Sequence, residues 1–301
     1  MTMDARVIVA GYGQMGHAME AMLAGRAQLD VWPIAPGSLD PPAAVLAAAG
    51  WADFLLLCVP TVAHEAVLGP LAGRLAPATA VLSVAKGLDD AGRTAADILQ
   101  ARLGARPWGV LGGPMIANEI IAGRRGFAEL GTADAGLFAR VRQLYPAERL
   151  RLTHTAHPQA VSWCGVLKNI YAPLVGVADG LGWGDNVRGH LIMAATAEMQ
   201  RLLTALAGAG TDAHGDAGLA DFATTVTSAS SHHYTLGLKL ARGGDYSLEC
   251  EGVHSLRILQ AARRVDTTAF TLYGVAAELV RDPMAVPGAL HEWLHDRNRA
   301  Q

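Results

Sequence analysis

The residue of this sequence best suited to proton-transfer chemistry is Lys168, which lies in an apolar, helix-like run. Its surroundings read C-G-V-L-K-N-I-Y-A-P-L-V. Burial and a nearby cation both lower the pKa of a lysine, and an amine with a lowered pKa exchanges a proton with a carbonyl or alcohol oxygen near neutral pH. Lys86, in S-V-A-K-G at the end of a predicted strand, is a candidate for that cation. A helix-surface lysine whose stem lies on apolar neighbours explains the pattern equally well.

A glycine-rich loop near the start of the sequence predicts a dinucleotide site. Residues 7–16 read V-I-V-A-G-Y-G-Q-M-G, so a G-x-G-x-x-G follows a strand-like run and opens an alanine-rich helix near Met15. Gly11 permits the tight turn, Gly13 lets the backbone approach a pyrophosphate, and Gly16 permits close helix packing. Three glycines that merely form a turn are the alternative. The cofactor contacts predicted here are Gly11, Gly13, Gln14, Met15 and Gly16.

The end of the second strand normally decides between NAD and NADP. A carboxylate there accepts from the ribose hydroxyls, whereas an arginine binds the 2′-phosphate. This position reads D-V-W-P-I-A-P, in which Asp30 precedes the expected strand end and no arginine follows. The expected cofactor is therefore NAD or NADP, without a preference between them.

Apolar runs of two kinds divide the chain into a sheet-forming half and a helical half. In the first half, short β-branched or leucine-rich runs alternate with helical ones, which predicts βαβ units. The second half has helical patterns over about 158–207 and 253–280, with loops and short helices over 211–244. We expect an α/β fold: residues 1–155 as a Rossmann-like, doubly wound parallel sheet and residues 156–301 as a mainly α-helical substrate domain. The predicted strands are Arg6–Ala10, Leu29–Trp32, Phe54–Val59, Ala80–Val84 and Trp108–Leu111.

Composition and charge narrow the classes of partner. The chain has 301 residues, 51% of them hydrophobic, which is enough apolar material for the cores of two domains. The net charge of -3 is spread without a basic block, so we expect a small-molecule substrate and no nucleic acid. Three widely spaced cysteines fit the reducing cytoplasm. No secretory leader is recognised, and the longest apolar stretches are shorter than the roughly 20 residues that span a bilayer, so membrane insertion is not expected.

A colinear series of motifs resembles the NAD(P)-dependent glycerol-3-phosphate dehydrogenase family across nearly the whole chain. The glycine loop comes first. The strongest match is C-G-V-L-K-N at Cys164–Asn169, which continues into D-G-L-G-W-G-D-N at Asp179–Asn186. Such a series in one order is far more specific than any single motif. The other matches are C-V-P at Cys58–Pro60, S-V-A-K-G-L at Ser83–Leu88, G-G-P-M-I-A-N-E at Gly112–Glu119, G-L-A-D at Gly218–Asp221 and T-T-V-T-S at Thr224–Ser228.

The resemblance implies a role for each matched residue. The lysine of L-K-N, here Lys168, acts in the family as proton donor and acceptor, while Lys86 and Asp221 contact substrate; these three are the expected catalytic residues. Glu251, in E-G, resembles the family's cofactor-side glutamate. The further cofactor contacts implied are Ala117 and His232, and the further substrate contacts are Gly113, Met115, Asn169, Thr225, Ser231, His232 and His233.

Three departures from the family pattern concern the substrate and the cofactor. Where the family usually has S-R-N-R, this chain has Ser231-His232-His233-Tyr234. An arginine that contacts both the cofactor and the substrate phosphate, and an asparagine that contacts substrate, are thereby replaced. The hydroxyl residue usual after G-P is Met115, and the W-x-R usual at the second strand end is Trp32-Pro33-Ile34. The redox chemistry therefore transfers better than the identity of the substrate.

The histidines carry two further hypotheses. The place of His232 and His233 in a phosphate-contacting segment favours a substrate or cofactor role, although adjacent histidines are also found in solvated loops. No metal is expected, since the other histidines show neither H-x-H nor H-E-x-x-H spacing. Those considered are His154, His157, His190 and His214.

Four functions compete. The first is a glycerol-3-phosphate dehydrogenase, in which hydride passes between the nicotinamide and C2 of dihydroxyacetone phosphate and Lys168 supplies the proton. The second uses the same machinery on another small polar or anionic ketone or alcohol. The third, a β-hydroxyacid dehydrogenase, conflicts with Ala172, because those enzymes place an asparagine four residues after the lysine. The fourth, a sensor that binds cofactor without turnover, needs no such set of catalytic residues. A homodimer is the assembly we consider.

Overall fold

The computed structural model describes residues 5–34, 38–243, 247–266 and 268–296. The chain forms two compact units, Met1–Ser162 and Trp163–Gln301. Gly244, which closes the predicted loop segment, and residues 35–37, within the predicted turn after the second strand, lie outside the described residues.

The described part of the first unit forms a seven-stranded sheet. Its strands are β1 (Ala5–Ala10), β2 (Ala27–Trp32), β3 (Phe54–Leu57), β4 (Ala80–Ser83), β5 (Trp108–Gly112), β6 (Gly126–Gly131) and β7 (Leu150–Thr155). Across the sheet their order is β2-β1-β3-β4-β5-β6-β7. All neighbouring strands are parallel except β5 and β6, which are antiparallel. This mostly parallel arrangement confirms the predicted fold class.

The five predicted strands are all present, while β6 and β7 were not predicted. The central strands β3 and β4 read F-L-L-L and A-V-L-S and are fully buried, as expected for parallel strands covered on both faces. β6 begins and ends with glycine and includes Glu129, so its local strand signal is weak. Its register is set instead by long-range pairing with β5 on one side and β7 on the other.

Within the described residues of this unit, six α-helices connect these strands and contribute to the core. They are α1 (Gln14–Leu23), α2 (Ala43–Ala49), α3 (His64–Leu71), α4 (Ala95–Leu103), α5 (Ala117–Ile121) and α6 (Ala135–Leu144). Apolar side chains of the sheet, such as Val7 and Leu56, share one buried cluster with Met19 and Leu23 of α1 and Leu137 of α6. The helix predicted to begin near Met15 is therefore confirmed as α1.

The second unit is mainly helical, as predicted. Its helices are α7 (Pro158–Gly180, which begins in the first unit), α8 (Asp185–Ala207), α9 (Asp221–Thr227), α10 (His232–Ala241), α11 (Glu251–Ala261), α12 (Thr271–Arg281) and α13 (Val286–His295). A π-helical turn at Asp216–Ala220 precedes α9. The predicted helical pattern over 158–207 is interrupted at Gly184, whose φ of +88° an L side chain rarely adopts.

α7 is long and apolar enough to cross a membrane by length and composition, with a mean hydropathy of 1.2 over its most apolar window. Every residue of that window is buried inside the protein. The core helix of a globular protein has the same properties, so the finding is weak evidence for a membrane span.

A buried carboxylate joins three helices of the second unit. Glu198 of α8 is 4% exposed and accepts a hydrogen bond from the Tyr171 hydroxyl of α7 at 2.7 Å. It also accepts from the backbone N–H groups of Leu272 (3.1 Å) and Tyr273 (2.6 Å). These N–H groups belong to the first turn of α12, whose N-cap residue, Phe270, provides no side-chain oxygen. Glu198 therefore caps α12 from another helix.

We expect Glu198→Ala to lower the free energy of unfolding by about 3 kcal/mol, because it leaves buried donors without an acceptor. Chemical denaturation monitored by circular dichroism measures the change. Glu278→Ala is the matched control: it removes a carboxylate of α12 that is paired near the surface with Arg281, and should cost less than about 1 kcal/mol. Equal losses in both variants would contradict the capping role.

Candidate active site

The glycine loop joins β1 to α1 in the first unit. Gly11 has a φ of +96°, and a β-carbon on it would lie 2.6 Å from the carbonyl oxygen of Cys58. Its N–H donates to the carbonyl of Trp32 at the end of β2, at 3.0 Å. A β-carbon on Gly16 would overlap the carbonyl oxygen of Gly11. These two glycines therefore let strand, loop and helix approach at backbone distance.

Gly13 differs from both. It is the N-cap of α1, is exposed, and would carry a β-carbon with no atom within 4 Å. The space beside it is open. It lies at the N-terminus of α1, where backbone N–H groups lack partners within the helix and the helix dipole favours an anion. A cofactor pyrophosphate fits this position. Of the two residues that follow, Gln14 is exposed and Met15 packs partly against the core.

Lys86 lies on the turn that follows β4. Its Nζ donates to the carbonyl oxygen of Gly113 at 3.1 Å, immediately after the end of β5. Because β4 and β5 are parallel neighbours, their carboxyl ends meet at one edge of the sheet. Ligands of open α/β sheets bind at that edge. The ammonium group is therefore placed where a ligand of the first unit is expected.

The segment after β5 contains three other predicted contacts. A β-carbon on Gly113 would lie 2.5 Å from the carbonyl oxygen of Phe127, so the backbones touch there. Met115 is 5% exposed and its side chain lies in the hydrophobic core of the unit. Ala117 is buried at the start of α5. The structure thus gives the Met115 side chain a packing role, and its substrate contact stays a prediction.

Lys168, Asp221 and Thr225 form a buried polar cluster in the second unit. Nζ of Lys168 lies 2.9 Å from Oδ1 of Asp221 and donates to Oγ1 of Thr225 at 2.6 Å. Lys168 is 5% exposed and Asp221 is 3% exposed. Asp221 and Thr225 are four residues apart on α9, so both side chains lie on one helix face. The structure brings Lys168 together with Asp221 and Thr225, two predicted site residues that are far from it in the sequence.

The carboxylate and the hydroxyl beside Lys168 bear on the protonation hypothesis. Both groups interact favourably with an ammonium ion. Burial and a second cation would lower the pKa of the lysine, whereas the contacts of Nζ described in this unit are with a carboxylate and a hydroxyl. The cluster therefore favours the protonated form of Lys168.

Asn169 and His233 meet the start of α11. A β-carbon on Gly252 would overlap the carbonyl oxygen of Asn169, so the backbones of α7 and α11 touch. Nε2 of His233 accepts a hydrogen bond from the N–H of Gly252 at 3.1 Å. An imidazole nitrogen that accepts carries no proton, so this bond assigns His233 to its neutral form. Glu251, the predicted cofactor-side residue, is the first residue of α11.

Ser231 and His232 begin α10. Ser231 is the N-cap, and its Oγ accepts from the N–H of Tyr234 at 3.3 Å. His232 follows as the first helical residue, and its side chain is exposed. The structure therefore separates the two histidines: one lies at the surface of the unit, whereas the other binds the backbone of α11.

The comparisons with known proteins match both halves of the chain. Residues 158–281 match the model of the C-terminus of NAD-dependent glycerol-3-phosphate dehydrogenase, and residues 34–134 match the model of its N-terminus. A glycerol-3-phosphate dehydrogenase [NAD(P)+] of Gloeobacter violaceus is 34% identical over 241 residues, covering 79% of this chain and 77% of that protein. The chain belongs to the NAD-dependent glycerol-3-phosphate dehydrogenase family.

Two further relatives cover nearly the whole chain. Glycerol-3-phosphate dehydrogenase [NAD(P)+] 2 of Sphingopyxis alaskensis is 28% identical and covers 93% of this chain and 91% of its own. The crystal structure of glycerol-3-phosphate dehydrogenase from Coxiella burnetii aligns with a TM-score of 0.84 at 23% identity, over 97% of this chain and 99% of that one. At this identity the structural likeness shows the fold. The N-terminal family match begins at residue 34 and does not include the glycine loop. The assignment of this loop as a dinucleotide site therefore depends on its geometry.

Tyr234 stands where the family usually has its second arginine, and no structural or functional role was predicted for it. Its hydroxyl donates to Oδ2 of Asp179 at 2.8 Å, and Arg188 donates to the same carboxylate from Nε at 2.9 Å. A β-carbon on Gly176 would overlap the carbonyl oxygen of Tyr234. In this family member the tyrosine therefore holds α10 against α7.

The sequence also gave no indication of a role for His64 or Ser83, although Ser83 belongs to the matched S-V-A-K-G-L motif. Both are fully buried, and Nε2 of His64 lies 2.8 Å from Oγ of Ser83. Nδ1 of His64 lies 3.1 Å from the carbonyl oxygen of Pro60. Burial lowers the pKa of His64 to about 4, against the opposing effects of the Pro60 carbonyl and of Asp89. The imidazole is therefore neutral at physiological pH.

Among the described residues, no group of three or more His, Cys, Asp or Glu side chains is placed to hold a metal ion. The turn after β2, which would distinguish NAD from NADP, includes residues that the structure does not describe.

We expect Gly13→Val to weaken NAD(H) or NADP(H) binding at least roughly tenfold while the protein stays folded, because the open space that a pyrophosphate needs is filled. Fluorescence titration of the reduced cofactor measures the affinity. Gly16→Ala is the comparison variant, whose β-carbon meets a carbonyl oxygen and should lower stability by about 3 kcal/mol. Unchanged cofactor affinity in Gly13→Val would refute the placement of the pyrophosphate.

Stability should fall as the pH drops from 6.5 to 4, because His64 keeps its neutral form when folded and binds a proton more readily when unfolded. The loss is complete below the folded-state pKa and amounts to about 3 kcal/mol. Denaturation midpoints of the wild type and His64→Phe across this pH range test it. The variant should lack this part of the pH dependence, and parallel curves would show that another group is responsible.

Proposed function

We propose that this chain is an NAD(P)-dependent dehydrogenase that interconverts glycerol 3-phosphate and dihydroxyacetone phosphate. The observation that carries the proposal is the buried cluster of Lys168, Asp221 and Thr225, in a chain whose two halves match the family. A lysine so buried, and held by a carboxylate and a hydroxyl, has a defined Nζ position, which proton transfer requires.

The two units contribute different parts of the reaction. The first binds NAD or NADP through Gly11, Gly13 and Gly16, with the pyrophosphate at the start of α1. Bound nicotinamide supplies or accepts the hydride at C2 of the substrate. Lys86 binds the substrate as a cation, which favours an anionic one. The end of β7 at Thr155 and the start of α7 at Pro158 support a division into domains 1–155 and 156–301.

Lys168 supplies the proton. In the direction of ketone reduction, Nζ donates a proton to the C2 oxygen of the substrate while hydride is added to the carbon, so a hydroxyl forms. In the reverse direction the same amine accepts the hydroxyl proton. Asp221 and Thr225 orient Nζ, and the carboxylate stabilises the ammonium form before donation. Asn169, beside the lysine on α7, and Glu251, on α11, complete the proposed substrate and cofactor contacts.

A dehydrogenase for another small ketone or alcohol is the second candidate. The favouring observation is that Nε2 of His233 accepts a hydrogen bond from the N–H of Gly252, at the position where the family has an asparagine that contacts the substrate. His232, in place of the phosphate-contacting arginine, carries full charge only when protonated.

A cytoplasmic location and a homodimer are further parts of the proposal. The cysteines support the first: none of the three, all within the described ranges, forms a disulfide. Sedimentation of the purified protein tests the second. Membrane insertion is not part of the proposal.

Nicotinamide absorbance with a panel of ketones tests the function. Dihydroxyacetone phosphate and unphosphorylated dihydroxyacetone, each with NADH and NADPH, form the central comparison. We expect turnover of the phosphorylated ketone, and a clear preference for an unphosphorylated one would support the second candidate. Lys168→Ala should reduce kcat by about 10²–10⁴-fold or more, with cofactor affinity nearly unchanged.

Lys239→Ala is the matched control, because it removes an exposed lysine of α10 and should leave kcat unchanged. Removal of Lys168 leaves the Asp221 carboxylate buried without its ammonium partner, so the variant should also be less stable. Assays are therefore run well below its melting temperature. Near-normal turnover by folded Lys168→Ala would eliminate the proposed proton-transfer role.

A further inference from the structure

The backbone of the turn that carries Lys86 is held by a side-chain hydrogen bond on each side of the lysine. At its start, Oγ of Ser83 accepts a hydrogen bond from the N–H of Ala85 at 3.1 Å. At its end, Oγ1 of Thr61 donates to the carbonyl oxygen of Gly87 at 2.9 Å. Ser83 and Thr61 are each at most 1% exposed, so water does not compete for these bonds.

His64 determines the direction of the hydrogen bond made by the Ser83 hydroxyl. The carbonyl of Pro60 can only accept, so Nδ1 of His64 carries the proton and Nε2 accepts. Ser83 must then donate its hydroxyl hydrogen to Nε2, which leaves a lone pair of Oγ for the N–H of Ala85. The histidine therefore controls which groups Ser83 can bind, and the neutral imidazole is the form that allows it.

We propose that His64, Ser83 and Thr61 are positioning residues for Lys86: they hold residues 84–87 so that the Lys86 ammonium stays at the carboxyl end of β5. The proposal rests on the proposed function, in which Lys86 binds the substrate. These three side chains are not proposed to touch the substrate. They act through the backbone of the turn on either side of the lysine.

A packing role alone does not account for this arrangement. An apolar side chain of similar volume fills a buried space without the cost of desolvating polar atoms. Here a buried histidine, serine and threonine are used, and two of their bonds end on the backbone of the Lys86 turn. The same turn places Nζ 3.1 Å from the Gly113 carbonyl. Loss of these hydrogen bonds should therefore displace Lys86 before it disturbs the packing of the hydrophobic core.

A double-mutant cycle between Ser83 and Lys86 tests the proposal. Ser83→Ala should raise the KM for dihydroxyacetone phosphate roughly tenfold, as expected for one lost buried hydrogen bond, with the cofactor affinity unchanged. In a Lys86→Ala background the same substitution should have little further effect, since there is no ammonium left to position. Additive effects, or an equal loss of cofactor affinity, would overturn the proposal in favour of a purely structural role.

Variants of His64 provide the rescue experiment. His64→Phe keeps the ring volume and removes both bonds, so its KM should rise as in Ser83→Ala. His64→Gln restores an acceptor for the Ser83 hydroxyl and should recover part of the loss. His154→Gln is the control, a histidine of the same unit whose Nε2 meets the Thr132 carbonyl at 2.9 Å; its KM should stay unchanged. A KM for His64→Gln no better than that for His64→Phe would contradict the role assigned to Nε2.

Reductive methylation separates failure of this proposal from failure of the proposed function, because it needs no substrate. Formaldehyde with a borohydride reagent modifies accessible amines, and mass spectrometry follows Lys86 and the exposed Lys239 in one sample. Ser83→Ala and His64→Phe should accelerate methylation of Lys86 roughly tenfold and leave Lys239 unchanged. If the wild type does not turn over dihydroxyacetone phosphate, this rate ratio still decides the proposal, and an unchanged ratio overturns it.

Discussion

The second unit is organised around the burial of two opposite charges. Removing an ammonium or a carboxylate from water costs several kcal/mol per ion, and the mutual attraction offsets this only at hydrogen-bonding distance. Lys168 and Asp221 meet that condition at 2.9 Å. α9 therefore has little freedom to move relative to α7. The π-helical turn Asp216–Ala220 leads directly into Asp221, and Gly218 within it leaves room for the carbonyl oxygen of Ala213.

Contacts between backbones extend this constraint to α10 and α11. Gly176 of α7 faces Tyr234 and Gly237 of α10, and Gly252 of α11 faces Asn169, at distances that no β-carbon would permit. Small residues at helix contacts convert side-chain packing into backbone packing, which leaves few alternative positions. The bonds of His233 and Tyr234 then fix the segment that begins at Ser231. The buried charge pair and the segment with the family's altered residues consequently belong to one rigid set of helices.

Much of the fold and part of the candidate site could be predicted from the sequence, because they depend on local sequence patterns. The glycine loop, the continuous apolar strands and the long helices depend on residues close together in the chain, and the family motifs identify Lys168 and Asp221. Contacts made over long sequence distances were not predictable. His64 meets Ser83, and Glu198 caps α12, only after the fold brings them together. The packing of the Met115 side chain in the core was likewise not predictable from its motif, and its substrate contact stays a prediction.

The strand order also has a consequence for synthesis on the ribosome. After β1 and β2 have paired, β3 adds to the open edge of β1, and each later strand adds to the strand made just before it. The sheet can therefore grow from one edge, in the order in which the residues emerge, without waiting for a distant segment. The exposed edge at each stage is a site for unwanted pairing between chains. The last strand to emerge, β7, alternates apolar and polar residues as L-R-L-T-H-T. The edge that it forms is therefore less prone to pair with another chain than the edges of the apolar strands before it.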